Sequence, residues 1–345
     1  MNYKVGNNVT IKVMVVDDSA FMRKVISDQI NNISEMLVCT TARSGEDALN
    51  KIPKFLPDLI TLDIEMTGMN GLETLEQIKS HYDIPVIMIS SHTGEEMTIS
   101  CLEKGAMDFV EKPINLLKIE ESFTDELASK IKSIVQTTEL RSVQYTKKSD
   151  EKTSFPTKIS AIVIGASTGG PKALMQLIKA IPSNLKVPIF IVQHMPKGFT
   201  KSFSTRLDQE AKVKVVEAKQ GEIIKPGVVY IAPGDYHMRI ENQKILLTQE
   251  DKIHSVRPAV DPLFESASKI YRKQLVGIIL TGMGNDGALG MKHISEAGGY
   301  TIAQDKDSSI VFGMPRRAIE LDVIDEVLSL NQIEEKLNWM IKVRQ

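Results

Sequence analysis

Several short, near-continuous apolar runs in this chain stop abruptly at a polar, charged or glycine residue and then give way to a stretch of helical periodicity. Ile11–Val16 ends at Asp17, Asp18 and Ser19; Pro57–Leu62 ends at Asp63; Pro85–Ile89 ends at Ser90 and Ser91. Further on, Ile159–Ile164 runs into Gly165, Pro188–Gln193 into His194, and Gln274–Leu280 into Thr281 and Gly282. Runs of this kind read as strands buried on both faces, and their alternation with helices specifies a parallel sheet of α/β type. Ligands of open parallel sheets gather at the carboxyl ends of the strands, so the residues that terminate the runs are where chemistry is to be sought.

There are two such series. With 345 residues and 42% hydrophobic content, each is long enough to enclose its own core. Between them, from Leu140 to Lys158, apolar periodicity is lost and the chain reads as an exposed linker, while Leu116 to Leu140 before it reads as one long helix. The expected organisation is an α/β unit of (βα)5 type with a parallel sheet over 10–127, a helix end and linker over 128–157, and a doubly wound, mostly parallel α/β unit over 158–345.

In the second unit, Gly165-Ala166-Ser167-Thr168-Gly169 has the spacing of a nucleophile elbow, a serine held on a tight strand-to-helix turn. Glycines suit so sharp a bend because neighbouring Cβ atoms would have no room. Pro171 suits the first turn of a helix over Lys172–Lys179. The spacing alone is moderately specific, since small residues after a strand also serve phosphate loops and close packing. The glycines at 165, 169 and 170 miss the dinucleotide pattern, and the loop lacks the Lys-Ser/Thr ending of a P-loop.

An activated serine needs a base. His194 stands at a strand's carboxyl end; His237 and His254 lie in polar stretches and read as solvated loop or hairpin positions, and His81, His92 and His293 as surface residues. The orienting carboxylate is expected at Asp286, in the glycine-rich loop after the run ending at Leu280, although an aspartate there also reads as an ordinary cap of the following helix. On a shared parallel sheet the three strand ends converge, which makes the conjunction stronger than any member. The backbone N–H groups of Met283 and Gly284 are the candidates for an oxyanion hole.

From about Ser160 onward the chain resembles the catalytic domain of the chemotaxis-receptor glutamate methylesterases, through Gly165–Gly170, Gln193-His194-Met195-Pro196, Thr281–Gly284 with Asp286-Gly287, and Val311–Pro315. The resemblance implies that Ser167 is the nucleophile, His194 the base and Asp286 the third member. This chain order differs from that of α/β-hydrolases, so the elbow spacing does not carry shared topology.

In the first unit three carboxylates, a hydroxyl and a lysine gather at one sheet edge: Asp17, Asp18, Asp63, Ser90 and Lys112. Helix caps at βα turns explain one such acid but not the set, and clustered carboxylates with room for water suit Mg²⁺. Over about 10–125 the pattern resembles the receiver domain of two-component response regulators. The resemblance implies phosphorylation at Asp63, metal binding by Asp17, Asp18, Asp63 and the carbonyl of Glu65, phosphoryl contacts from Ser90 and Lys112, and an aromatic switch at Phe109. Lys112-Pro113 is a candidate cis peptide.

The net charge of −2 and the lack of a basic stripe argue against nucleic-acid binding. Cys39 and Cys101 form neither a disulfide framework nor a thiolate site, no stretch reaches membrane-span length, and the first residues lack a signal-peptide core, so a reducing cytoplasm is expected. The resemblances together imply a phosphorylation-activated hydrolase that demethylates glutamate γ-methyl esters on the cytoplasmic helices of methyl-accepting chemotaxis receptors. They also imply a histidine kinase as phosphodonor, no cofactor for ester hydrolysis, and deamidation of receptor glutamines as a related activity. A receiver joined to a DNA-binding or scaffold module, with the serine motif only a packed turn, is the competing reading.

Overall fold

The computed structural model describes residues 10–91, 94–113, 121–139 and 155–344. The chain divides into two compact units, Met1–Glu139 and Leu140–Gln345. The expected linker falls mostly outside the described residues, as do His92 and the start of the long helix predicted from Leu116.

The first unit alternates strand and helix: β1 (Ile11–Val16), α1 (Ala20–Asn31), β2 (Met36–Ala42), α2 (Gly45–Phe55), β3 (Leu59–Asp63), α3 (Gly71–His81), β4 (Val86–Ser90), α4 (Glu95–Glu103), β5 (Asp108–Glu111) and α5 (Glu121–Glu139). The strands pair in parallel in the order β2-β1-β3-β4-β5. β3 and β4 are buried at every position, including Thr61, Asp63 and Ser90, as expected of strands covered on both faces. Helix starts are chemically marked: Ser19 and Ser44 cap α1 and α2, and Asn70 with Glu73 forms a reciprocal capping box on α3. The order reverses between β1 and β3, the crevice where Asp17 and Asp63 emerge.

The second unit comprises β6 (Ala161–Ala166), α6 (Gly170–Ala180), β7 (Ile189–Gln193), α7 (Phe199–Glu210), β8 (Lys214–Glu217), β9 (Val228–Ile231), β10 (His237–Glu241), β11 (Lys244–Thr248) and α8 (Val260–Tyr271). It continues through β12 (Leu275–Ile279), α9 (Ala288–Glu296), β13 (Tyr300–Gln304), α10 (Met314–Glu320), β14 (Glu326–Leu328) and α11 (Leu330–Val343). Seven strands form a parallel sheet in the order β14-β13-β12-β6-β7-β9-β8, and β10 and β11 form a separate antiparallel hairpin. Phe190, Tyr230 and Phe264 are fully buried in the core, with the Phe190 and Tyr230 rings stacked at 5.5 Å. Burial of each such side chain contributes about 1.5–3 kcal/mol. β12, β6 and β7 are sheet neighbours, so the residues after them emerge side by side.

Both units are α/β with parallel sheets, as the runs specify. Among the described residues the cis peptide is Arg257–Pro258; Lys112–Pro113 is trans. The backbone after β5 leaves that strand without needing the cis turn expected there.

Candidate active site

Ser167 lies one residue beyond β6, on a turn that Gly169 completes with φ +77° before α6 begins; Pro171 occupies the first turn of that helix. A residue with a Cβ is strained at such a φ, which accounts for the glycine. The turn is tied to the end of the neighbouring β12 by Ser167 N donating to Thr281 O at 3.0 Å and is closed on itself by Gly170 N donating to Ser167 O at 2.7 Å. Gln193, the buried last residue of β7, donates from Nε2 to Ser167 O at 3.0 Å and to His194 O at 3.2 Å.

Three side chains form a continuous chain of hydrogen bonds. Ser167 Oγ is 3.0 Å from His194 Nδ1, and His194 Nε2 is 2.7 Å from Asp286 Oδ2. With Nε2–H donating to the carboxylate, Nδ1 is the acceptor facing the hydroxyl. The ring is thus turned end for end relative to the serine-protease arrangement, in which Nε2 faces the serine. The same constellation of roles survives the reversal, because only the order donor, imidazole, acceptor matters to proton transfer.

Asp286 is 1% exposed and all its oxygens are used. Oδ2 also accepts from Val260 N at 2.6 Å; Oδ1 accepts from Asp261 N at 3.1 Å and Gly287 N at 2.9 Å. Burial pushes its carboxyl pKa up, but the His194 hydrogen bond and charge and the α8 amides outweigh this and hold it below the usual aspartate value. The competing reading of Asp286 as an ordinary cap of the following helix does not describe it: the N-cap of α9 is Gly287, and Asp286 binds the amino end of α8, where the helix dipole also favours an anion. Gly165 makes room for this approach, since a Cβ there would stand 2.5 Å from Val260 Cγ1.

Met283 and Gly284 lie exposed on the loop between Thr281 and Asp286. Among the described residues neither backbone N–H donates to a backbone carbonyl, whereas Gly282 N donates to Val311 O. Buried Thr168, the residue after the serine, occupies the position that usually supplies one oxyanion donor in an elbow, and only the G-x-S-x-G spacing in the sequence points to it.

His237 corrects a second expectation. It stands on the β10–β11 hairpin, as read, but is fully buried rather than solvated, with Ala259 N donating to Nδ1 at 3.1 Å and Nε2 lying 3.1 Å from Asp251 O. His254 is exposed and lies 3.6 Å from Asp261; His81 and His293 are exposed, as read.

In the first unit, Asp17, Asp18 and Asp63 each present a carboxylate oxygen within 4.8 Å of the others. Lys112 Nζ lies 2.8 Å from Asp63 Oδ1 and 3.4 Å from Asp17 Oδ2. Burial, with Asp17 adding to it, raises the Asp63 pKa to about 6 despite Lys112. Asp17 Oδ2 is buried and accepts no hydrogen bond, so the donor set of hard oxygens is short of positive charge, as a site for Mg²⁺ would be. Ser90 Oγ lies 2.7 Å from Thr98 Oγ1 and donates to Ser91 O at 3.1 Å. Glu65 is exposed, its backbone N donating to Asp63 Oδ1 and its side chain accepting from Ser91. Phe109 is buried, and its carbonyl accepts from Lys130.

Residues 162–337 match the model of the CheB methylesterase family, and residues 13–124 match the response regulator receiver domain. A protein-glutamate methylesterase/protein-glutamine glutaminase of Pyrococcus horikoshii is 45% identical over 347 residues, covering 96% of this chain and 94% of its own. The chain belongs to the CheB methylesterases. The relative of the same description from Clostridium acetobutylicum is 44% identical over 342 residues, covering 96% of this chain and 98% of its own. The crystal structure of the Thermotoga maritima CheB methylesterase catalytic domain is 46% identical, with TM-score 0.51, covering 53% of this chain and all of that one. This membership makes the chain an ester hydrolase carrying a receiver and displaces the reading in which the serine motif is only a packed turn. Among the described residues no helix is long and apolar enough to cross a membrane.

Proposed function

We propose that this chain is a phosphorylation-activated serine hydrolase that converts glutamate γ-methyl esters on the cytoplasmic helices of chemotaxis receptors to glutamate and methanol. The uninterrupted hydrogen-bond chain Ser167–His194–Asp286 carries the reading. His194 Nδ1 takes the Ser167 proton as Oγ attacks the ester carbonyl, and Asp286 stabilises the imidazolium through Nε2–H. The Met283 and Gly284 amides face the developing oxyanion. Collapse of the tetrahedral species expels methanol with the proton returned by His194, and water then hydrolyses the acyl-serine by the same route. A glutamine side chain enters the same cycle with ammonia as leaving group, consistent with the glutaminase named in the relatives.

In the receiver, Asp63 accepts a phosphoryl group from a chemotaxis histidine kinase. Asp17, Asp18, Asp63 and the Glu65 carbonyl would hold Mg²⁺, which supplies neutralising charge when bound. Lys112 is already beside Asp63, and Ser90 would exchange its Thr98 bond for a phosphoryl oxygen. The site of action is the cytoplasm, where receptor helices and kinase meet.

Receptor membranes carrying labelled methyl esters, incubated with the full chain in H₂¹⁸O, test this. The expected result is labelled methanol and incorporation of ¹⁸O into the new carboxylates; methanol release no higher than in the enzyme-free control overturns it.

A further inference from the structure

The first three amides at the start of α8 all have acceptors outside their own helix. Ala259 N donates to His237 Nδ1, Val260 N to Asp286 Oδ2 and Asp261 N to Asp286 Oδ1. The first of these is supplied by a fully buried histidine on a different element, the β10–β11 hairpin. We propose that His237 is a positioning residue for ester hydrolysis: its ring fixes Ala259 so that the next two amides hold the Asp286 carboxylate, and through it the His194 imidazole, in line with Ser167.

The ring is committed to this task at both nitrogens. Nδ1 must be the unprotonated acceptor for Ala259 N–H, so Nε2 carries the hydrogen and donates to Asp251 O. Burial, aided by Arg239 and Arg257, favours that neutral form. His237 therefore has no nitrogen left for substrate and acts only through α8. The opposite side of the same helix start is held by Gly290 N of α9 donating to Asp261 Oδ1 at 2.7 Å. The carboxylate of Asp286 thus sits in a cradle clipped at two points, and loss of one clip lets the amide pair rotate away from it. An apolar side chain in place of the ring would strand both Ala259 N–H and Asp251 C=O without partners in the interior.

This inference rests on the roles proposed above for Ser167, His194 and Asp286. Steady-state methanol release by the full chain from methylated receptor membranes tests it in a double-mutant cycle. His237→Leu should lower kcat about 10- to 100-fold, the size of loss seen when groups that orient metal ligands from behind are removed, with KM nearly unchanged. His237→Asn, whose Oδ1 takes the place of Nδ1 as acceptor, should recover most of that loss. In an Asp286→Asn background, where the carboxylate is already gone, His237→Leu should cost little further. Should the leucine variant fail to fold, His237→Gln, which keeps a donor for Asp251 but offers Ala259 no acceptor at Nδ1, goes through the same cycle. Wild-type kcat in the substituted protein, or an equal loss in both backgrounds, overturns the inference. If Asp286→Asn alone keeps full activity, the triad reading itself fails; a crippled Asp286→Asn beside an unaffected His237 variant defeats only the role of His237.

Discussion

Ser167 and Asp286 are expected to fail differently when altered. Ser167→Ala removes the attacking atom without disturbing Ser167 N or Ser167 O, which make the turn's hydrogen bonds, so hydrolysis should fall by several orders of magnitude with an unchanged unfolding temperature. Asp286→Asn keeps the shape but replaces an acceptor by a donor, facing either Val260 N–H and His194 or the Asp261 and Gly287 N–H groups; a drop in kcat of about 10⁴ is the precedent for such a change in a triad. In the receiver, the pKa of Asp63, raised to about 6, has a definite sign. The folded state holds this proton more tightly than the unfolded chain, so the ionised carboxylate costs stability above pH 6, and the cost disappears as pH falls toward the ordinary aspartate value near 4. Without Mg²⁺, Asp63→Asn should therefore raise the receiver's unfolding temperature at pH 7.5 and lose most of that advantage near pH 4. Equal unfolding temperatures of the two proteins at pH 7.5 would show that Asp63 is not destabilised by its neighbours.

At the scale of elements, the strand ends were legible because a parallel sheet buries both faces of its strands and so writes them as apolar runs. β6, β7 and β12, with Ser167, His194 and Asp286 just beyond them, could be read this way, as could β1, β3 and β4 in the receiver. The cradle around Asp286 could not. Its amides belong to Val260 and Asp261, whose local sequence shows only a helix start, and the burial of His237 arises only when its polar-looking hairpin packs against the start of α8. Close packing between elements was also partly hidden. Gly282 lies against the elbow, and a Cβ there would stand 2.8 Å from Ser167 Cβ and 3.2 Å from Ser167 N. Backbone cannot yield as a flexible side chain does, so Gly282→Ala should displace the nucleophile and reduce kcat by about 10²-fold or more, the usual penalty for an ångström of misplacement. Unimpaired methanol release by that variant would show that the elbow tolerates movement of the β12 loop.

At the scale of the whole molecule, two α/β units each place chemistry at the carboxyl edge of a parallel sheet, one suited to accepting a phosphoryl group and the other to attacking an ester. Phosphorylation of the first is expected to control the activity of the second. A fragment beginning near residue 155 retains all of the triad and the sheet that carries it, so its activity should be indifferent to a small phosphodonor. Asp63→Asn in the full chain should be equally indifferent, because it removes the carboxylate proposed to accept the phosphoryl group, the one 2.8 Å from Lys112 Nζ. The decisive measurement is the initial rate of labelled methanol release from methylated receptor membranes by the full chain, Asp63→Asn and Ser167→Ala, each with and without a small phosphodonor and Mg²⁺. The prediction is a rate that rises with phosphodonor in the unaltered chain, stays at its resting value in Asp63→Asn, and is absent in Ser167→Ala under both conditions. A phosphodonor response that survives in Asp63→Asn, or methanol release that survives in Ser167→Ala, would contradict it.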